Sequence, residues 1–220
     1  MKYKIFENRV IFAIIFPLCL FAIISGEVVE KEILTLDRVI YDFISKFISK
    51  DMTDLMKFIT FLGSNLFLIG VAVLILIVLC RNKKYSFYGY MVALNLLLSS
   101  LLNETLKLFF QRPRPDVLRL VEINGYSFPS GHSMIVLSFY GFIIFLCLKY
   151  FKHKLKYYFS ALLVLIILAI GVSRIYLGVH FASDVIGGFS VGCVWLIIFV
   201  KSSIKLERIL KGKATQNNLQ

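Results

Sequence analysis

The sequence has few of the residues that build metal centres or disulfide-stabilised folds. It contains only three histidines and four cysteines, and their spacing does not match a zinc site. It also lacks a cluster of carboxylates of the kind that holds a divalent cation. All the cysteines lie within or beside apolar runs, so we expect small buried side chains without a disulfide or metal role. These residues are Cys19, Cys80, Cys147 and Cys193.

The chain also lacks the polar composition of a soluble protein. Of its 220 residues, 59% are hydrophobic, whereas soluble domains contain about 45–50% apolar residues. The mean hydropathy is +0.81, and the apolar residues form blocks close to the length of about 20 residues that crosses a bilayer. We therefore expect one membrane domain that occupies residues 1–220 and leaves no room for a second.

The apolar blocks predict an all-α membrane bundle of six transmembrane helices. The first block follows a basic start, as in a signal peptide, but it lacks a convincing small-x-small cleavage site, and we interpret it as an uncleaved anchor. The third block carries Asn103, Glu104 and Lys107, and ionisable residues inside a span are typically functional. The six predicted spans are residues 10–24, 58–80, 85–110, 134–150, 157–175 and 180–200.

Between the first and second spans, residues 36–48 carry apolar side chains at helical spacing, among them Leu36, Ile40, Phe43 and Phe47. The other face of this segment is too polar to cross a bilayer. The pattern therefore predicts a short amphipathic helix. Two positions are compatible with it: along the membrane interface, or with its apolar stripe packed against the bundle.

Acidic residues are almost absent from one side of the predicted bundle. With six spans, both chain ends and two loops share a face that holds fifteen Lys and Arg but only Glu7 and Glu207. The opposite face holds ten Lys and Arg and eleven Asp and Glu. Because loops rich in Lys and Arg stay inside the cell, about residues 1–9 and 202–220 are predicted to be cytoplasmic. The net charge of +12 then reflects plasma-membrane topology and not binding to nucleic acid.

The polar stretch from Ser173 to Asp184 lies between the fifth and sixth predicted spans. If the chain is helical from about His180 onward, His180 and Asp184 are one turn apart and their side chains meet. A carboxylate beside an imidazole fixes its tautomer and makes it a better nucleophile or base. Arg174 adds a forked donor suited to phosphate oxygens. Taken alone, the stretch could also be an ion pair packed against a helix end.

Two further polar clusters lie at helix ends on the same predicted face. One contains Lys107 and Arg114, two cations for the charge of a phosphoryl group. The other, a Pro-Ser-Gly-His run, places Ser130 and Gly131 at a helix N-terminus, where free N–H groups attract an anion, and offers His132 as an acid. Alone, one cluster could be a pair of interface anchors and the other a helix cap. Their convergence on one face predicts a phosphoryl-transfer site.

Together the three clusters resemble the three-part signature of the type 2 phosphatidic acid phosphatase superfamily. That family includes membrane lipid phosphatases and, on a related soluble fold, vanadium haloperoxidases. The signature spans residues 107–184, and every position is filled. The matching motifs are Lys107-x6-Arg114-Pro115, Pro129-Ser130-Gly131-His132 and Ser173-Arg174-x5-His180-x3-Asp184.

The resemblance implies a role for each signature residue. His180 would attack phosphorus to form a phosphohistidine, with Asp184 orienting it, and His132 would protonate the leaving oxygen. No metal and no other cofactor would be required. The residues that would hold the phosphate are Lys107, Arg114, Ser130, Gly131 and Arg174.

The implied function is hydrolysis of a lipid phosphate or diphosphate at the extracytoplasmic face of the membrane. We expect undecaprenyl diphosphate as the substrate; phosphatidylglycerophosphate, phosphatidic acid and soluble phosphate esters are the alternatives. A non-catalytic lipid-phosphate binder is disfavoured by the complete set of His132, His180 and Asp184. A transporter is disfavoured because the charges cluster at one face and not at the midplane. The expected partners are the lipid substrate and the bilayer, without nucleic acid or an obligate protein partner.

Overall fold

A computed structural model describes the backbone of residues 2–30 and 33–217, and the side chains of residues 11–30, 33–83 and 85–212. This part of the chain is helical apart from its loops and contains no strand, which confirms the predicted all-α class. Its helices are α1 (Lys2–Glu30), α2 (Thr35–Ser45), α3 (Lys50–Phe61), α4 (Asn65–Cys80), α5 (Lys83–Phe110), α6 (Gly131–Tyr150), α7 (Leu155–Tyr176) and α8 (Ala182–Asn217).

Five of these helices are long and apolar enough to cross a membrane: α1, α5, α6, α7 and α8. The pair α3 and α4 passes the same test only when taken together, and it is bent by 44° between its halves. The described residues therefore hold five spans, or six if the bent pair counts as one. The predicted number of six is the upper of these two counts.

The bend replaces the continuous second span that was predicted for residues 58–80. α3 ends at Phe61, and α4 follows Ser64, whose Oγ accepts a hydrogen bond from the backbone N–H of Phe67 at 3.3 Å. This N-cap starts a new helix. α3 exposes charged side chains such as Asp51, so α4 alone of the two has the composition of a membrane segment.

The first and last helices are longer than the predicted spans. α1 extends past the predicted end at Ile24 to Glu30. Cys19 lies on this helix and is exposed, although a buried side chain was predicted. α8 extends past the predicted end at Val200 to Asn217, so most of the C-terminal tail that was predicted to be cytoplasmic, about residues 202–220, is helical. The last part of that tail, residues 218–220, lies outside the described residues.

α8 begins later than predicted, at Ala182, and His180 is therefore not part of a helix. The reason is the turn that follows α7. Gly178 has a φ of +70°, a left-handed conformation that glycine adopts without strain and that commonly ends a helix. A Cβ at this position would also lie 2.5 Å from the carbonyl oxygen of Leu118. His180 consequently lies in a compact turn between α7 and α8.

α2 has two apolar faces and is shorter than the predicted segment. One face, with Ile40 and Ile44, packs against α7 and α8. The other face exposes Leu36, Val39 and Phe43. Packing on the bundle is therefore confirmed for one face, and a position at the membrane interface stays a prediction for the other.

α6 lies at the centre of the bundle and packs against α5, α7 and α8. Its buried apolar side chains include Val136, Phe139 and Phe142. Because the chain reverses direction at each loop, the end of α5, the start of α6, the end of α7 and the start of α8 meet at one end of the bundle. The three motifs predicted from the sequence all lie at that end.

Candidate active site

His180 is the buried centre of the motif between α7 and α8, with 3% of its surface exposed. Its Nδ1 lies 3.3 Å from Oδ2 of Asp184, and its Nε2 lies 3.3 Å from Nη1 of Arg114. A guanidinium can only donate, so we assign Nε2 as the acceptor and Nδ1 as the atom that carries the proton toward Asp184. In this tautomer the lone pair of Nε2, which accepts from Arg114 in this structure, is the one that can attack an electrophile.

The surroundings of His180 keep it neutral. Burial lowers the pKa of His180 well below its ordinary value, and the positive charges of Arg174, Arg114 and Lys107 lower that pKa further. An imidazole with a lowered pKa is uncharged at neutral pH. Only a neutral imidazole has the lone pair that a nucleophile needs, so this environment suits nucleophilic attack.

Arg114 and Lys107 supply two of the three cations near His180. Arg114 is held by the backbone carbonyls of Val179 at 2.8 Å and Gly125 at 2.9 Å. Lys107 pairs with Glu104 at 3.3 Å and keeps 16% of its side chain exposed. Both side chains are thus fixed by contacts at the edge of the site and still present N–H groups to it.

Arg174 supplies the third cation and is 2% exposed. Its Nη1 donates a hydrogen bond to Oγ1 of Thr60 at 2.6 Å, whereas its Nε has no hydrogen-bond partner among the described residues. A buried cation with an unsatisfied donor is costly. The arrangement fits a site that receives an anion, whose oxygen atoms would accept the free donor.

The Pro-Ser-Gly-His motif forms the start of α6. Ser130 is the N-cap of the helix, and its own backbone N–H donates to the carbonyl of Asp184 at 3.0 Å. A Cβ at Gly131 would lie 2.8 Å from Oδ1 of Asn103 and 3.5 Å from Nζ of Lys107. The first turn of a helix leaves backbone N–H groups without helical partners. The short Cβ distances show that this helix end lies close to Lys107 and has no room for a side chain at Gly131.

His132 lies in the same first turn of α6. The charged groups that act on it are other predicted site residues: Arg174, His180, Lys107 and Arg114. The second histidine of the signature is therefore close enough to the first, and to the same cations, to interact with them electrostatically. The predicted site residues that gather at this end of the bundle are His180, His132, Asp184, Lys107, Arg114, Ser130, Gly131 and Arg174.

A mostly apolar cavity of about 260 Å³ opens beside His180. α2 bounds it through Tyr41, and the loop after α5 bounds it through Pro115 and Val117. Of the predicted site residues, His180 alone lines this cavity. The cavity thus lies next to the group of cations and not between them.

Comparison with known proteins identifies the family. A family model of the PAP2 superfamily matches residues 85–208, more than half of the chain. The chain belongs to the PAP2 superfamily. Phosphatidylglycerophosphatase B of Bacillus subtilis (strain 168) is 35% identical over 161 residues, which cover 71% of this chain and 78% of that protein. Lipid phosphate phosphatase delta of Arabidopsis thaliana is 28% identical over 91 residues, which cover 40% of this chain and 22% of that protein.

Two solved structures share the fold of this chain. A transmembrane PAP2 type phosphatidylglycerolphosphate phosphatase from Bacillus subtilis superposes with a TM-score of 0.82 at 30% identity, covering 88% of this chain and 97% of that one. LpxE of Aquifex aeolicus superposes with a TM-score of 0.63 at 27% identity, covering 78% of this chain and 98% of that one. The chain is a multi-pass membrane protein and a lipid phosphatase of the PAP2 type.

The structure places two buried residues at this candidate site that the sequence reasoning missed, Arg112 and Asp37. Arg112 is 2% exposed, and its Nη1 lies 2.6 Å from Oδ1 of Asp184. Its Nη2 lies 2.9 Å from Oδ2 of Asp37, which α2 contributes. Arg112 falls within the unspecified positions between Lys107 and Arg114. The one signal for it was a second Arg-Pro pair directly before the pair of the motif.

The donor chemistry of the PAP2 site does not resemble a metal centre. Among the described residues, no group of three or more His, Cys, Asp or Glu side chains is placed to hold a metal ion. The carboxylates of Asp37 and Asp184 are already bonded to Arg112. Activity without a metal or other cofactor stays a prediction, which requires a chelator experiment.

The position of the α6 N-terminus depends on close packing against Gly188 of α8. A Cβ there would lie 2.7 Å from the carbonyl oxygen of Ser130 and 3.3 Å from the backbone N of Met134. Backbone atoms cannot move aside cheaply, so Gly188→Ala should lower the free energy of unfolding by about 1–3 kcal/mol. It should also lower kcat/KM by about tenfold or more, because it displaces the Ser130 and Gly131 backbone.

Gly70→Ala is the matched control for this prediction, since a Cβ at Gly70 meets no atom within 4 Å. Thermal unfolding in detergent and phosphate release would be measured for both variants. Equal activity of Gly188→Ala and Gly70→Ala would show that the spacing of α6 and α8 does not position the site.

Proposed function

We propose that the protein hydrolyses a lipid phosphate through a phosphohistidine on His180, without a metal ion. The observation that carries the proposal is the paired contact of His180: Nδ1 meets the carboxylate of Asp184, and Nε2 meets the guanidinium of Arg114. This arrangement supports an activated nucleophile directed at an anionic phosphorus centre.

In the first step the lone pair of Nε2 of His180 attacks phosphorus, and the bond from phosphorus to the lipid oxygen breaks. His132, which the negative charge of the bound phosphate keeps protonated, gives its proton to the leaving oxygen. Lys107, Arg114 and Arg174 hold the nonbridging oxygens, whose charge must be stabilised as the phosphoryl group transfers. The products of this step are the free lipid alcohol, or a lipid monophosphate if the substrate is a diphosphate, and a phosphorylated His180.

In the second step water attacks phosphorus, and the N–P bond breaks so that its electron pair returns to Nε2 of His180. Neutral His132 accepts the proton of the attacking water and is thereby restored for the next turnover. The hydroxyl of Ser130 and the backbone N–H of Gly131 bind an oxygen of the departing phosphate at the helix N-terminus. Inorganic phosphate leaves, and the site regains its starting charges.

Phosphatidylglycerophosphate is the first substrate to test. A sequence match and a solved structure, both from Bacillus subtilis, bear the names phosphatidylglycerophosphatase B and phosphatidylglycerolphosphate phosphatase, and each similarity extends over most of this chain. Undecaprenyl diphosphate, the substrate expected from the sequence, is not named by these relatives and stays a prediction. The apolar cavity beside His180 offers room for the part of a lipid nearest the phosphate.

Phosphate release from a panel of purified substrates tests the function. The panel contains phosphatidylglycerophosphate, phosphatidic acid, undecaprenyl diphosphate and the soluble ester glycerol 3-phosphate, each assayed in detergent with EDTA. We expect turnover of at least one lipid phosphate at a rate unchanged by EDTA, and much slower turnover of glycerol 3-phosphate. Loss of activity in EDTA that a divalent cation restores would contradict the metal-free mechanism. Preference for glycerol 3-phosphate would contradict a lipid substrate.

The site is proposed to face the outside of the cell, with both chain ends in the cytoplasm. The unequal distribution of Lys and Arg between the two faces supports this orientation. Cysteine substitutions test it at two exposed positions, Asn124 and Lys154, in a background without the four native cysteines. An impermeant thiol reagent should label N124C in intact cells and leave K154C unlabelled until the cells are opened. The reverse pattern would place the chemistry in the cytoplasm.

A further inference from the structure

α2 reaches the candidate active site through one buried acidic residue. The Oδ2 of Asp37 accepts hydrogen bonds from Nη2 of Arg112 at 2.9 Å and from Oγ of Ser183 at 2.8 Å. Its Oδ1 accepts the backbone N–H of Ser183 at 2.7 Å. Arg112 in turn donates from Nη1 to Asp184 at 2.6 Å. A continuous chain of charged hydrogen bonds therefore runs from α2 to the carboxylate beside His180.

This chain of contacts is closed to water and carries a net charge. The side chains of Asp37, Arg112 and Asp184 are each at most 1% exposed, and the guanidinium of Arg112 lies 4.1 Å from the ring centroid of Phe181. Two carboxylates share one guanidinium, so the three groups together carry one negative charge beside a neutral imidazole. That negative charge is balanced when the imidazole of His180 becomes positive.

We propose that Asp37 is a positioning residue of the phosphatase site, which acts through Arg112 on Asp184 and makes the docking of α2 part of the catalytic arrangement. The inference rests on the proposed function, because the imidazole becomes positive when Nε2 of His180 forms its bond to phosphorus and the lipid P–O bond breaks. Asp184 then holds the proton on Nδ1. Arg112 and Asp37 hold Asp184 in the orientation that this requires.

Asp37 contributes more than an anchor for α2. Arg112 alone would neutralise Asp184 and weaken its attraction for the proton on Nδ1 of His180. Because Asp37 also binds the guanidinium, Asp184 keeps more of its negative charge for the imidazole. Ser183 fixes this division, since its Oγ contacts both Arg112 at 2.7 Å and Asp37.

The pH dependence of turnover reports on this chain, because His180 must be neutral to attack. Burial, together with the cations around the site, holds the pKa of His180 well below its ordinary value. The activity that depends on neutral His180 is therefore lost as the pH falls through that lowered pKa. The charged and titratable groups that face His180 or line its cavity are Arg174 of α7, Lys107 of α5, Arg114 and Asp116 of the following loop, His132 of α6, Asp184 of α8, and Asp37, Arg38 and Asp42 of α2.

Asp37→Asn and Arg112→Gln should move the acid limb of kcat/KM in opposite directions. Asp37→Asn removes a negative charge, so the pKa of His180 falls further and the limb moves to lower pH. Arg112→Gln leaves two carboxylates without their cation, so the pKa of His180 rises and the limb moves to higher pH. The kcat of Asp37→Asn should fall by about ten- to a hundredfold, the range typical of groups that orient a reacting ligand, with KM changed less than about twofold.

Asp54→Asn is the matched control, because it removes an exposed carboxylate from the neighbouring helix α3. The double variant Asp37→Asn/Arg112→Gln should be more active than Arg112→Gln, because the second change relieves the repulsion between the carboxylates. Kinetics would be measured on monodisperse protein with the best lipid of the panel. If Arg112→Gln does not fold, Asp37→Asn still tests the positioning role of Asp37, through a lowered kcat with a nearly unchanged KM.

Three outcomes would separate the inference from the proposed function. If the wild type is active and Asp37→Asn has the same kcat and the same acid limb as Asp54→Asn, the role of Asp37 is overturned, while the proposed function stands. If Asp37→Asn does not fold, Ser183→Ala takes its place as the test, because it keeps every charge. Ser183→Ala should lower kcat without moving the acid limb. An unchanged kcat in Ser183→Ala would overturn the positioning role of Asp37. A wild type that releases no phosphate from any lipid would overturn the proposed function and this inference with it.

Discussion

His180→Ala is expected to abolish phosphate release while the protein still inserts and folds. The variant lacks the atom that forms the bond to phosphorus, and loss of a nucleophile costs at least about a thousandfold in kcat. The imidazole is buried, so the change also leaves a small cavity in the turn between α7 and α8. We expect that cavity to alter thermal stability only modestly, because Asp184 keeps its bonds to Arg112 and to the N–H of Phe181.

His153→Ala is the matched control for this prediction. His153 is the one histidine outside the signature, and it is exposed in the loop between α6 and α7. The His153→Ala variant should release phosphate at the wild-type rate. Turnover by purified His180→Ala within about tenfold of the wild type would exclude a covalent role for His180.

Arg174→Met is expected to lower kcat/KM by about a hundred- to a thousandfold, the usual cost of removing one group that stabilises transition-state charge. The same change should not destabilise the unliganded protein. Arg174 is buried, forms its one side-chain hydrogen bond among the described residues to Thr60, and has a free Nε. Removing a buried charge without a carboxylate partner relieves a desolvation cost, so the melting temperature should stay equal or rise.

The binding of a phosphate analogue gives a second measurement of this prediction. Vanadate should raise the melting temperature of the wild type, since a ligand that binds only the folded state stabilises it. It should fail to do so in Arg174→Met and succeed in Arg208→Met, which removes an exposed arginine from α8. A vanadate-dependent rise in Arg174→Met equal to that of the wild type would show that Arg174 does not hold the oxyanion.

The gathering of the candidate site residues at one end of the bundle could be predicted largely because they lie in three short motifs with fixed spacing. The contact between His180 and Asp184 exists although the helix begins only at Ala182, because the turn at Gly178 brings the imidazole over the first turn of α8. The spacing of the two residues predicted their contact but not the backbone conformation that produces it. Thr60 could not be predicted at all, since its contact with Arg174 depends on how α3 packs against α7.

Arg112 and Asp37 show why a long-range buried ion pair escapes a sequence reading. They are 75 positions apart, and no local pattern links them. Asp37 lies on the same face of α2 as Ile40 and Ile44, where an acidic residue is unexpected. That exception to the apolar pattern was the available signal. The second span was also predicted too simply, because the cap at Ser64 breaks a run that hydropathy alone treats as continuous.

Trapping the phosphoryl group on the protein tests the central mechanism most directly. Wild-type protein would be mixed with a lipid labelled in its phosphoryl group and quenched within milliseconds in alkaline detergent, which preserves phosphohistidine. Peptide mapping should recover the label on His180, and the label should be stable in alkali and lost in acid. His180→Ala should carry none. Label found on another residue, or retained by His180→Ala, would contradict the mechanism.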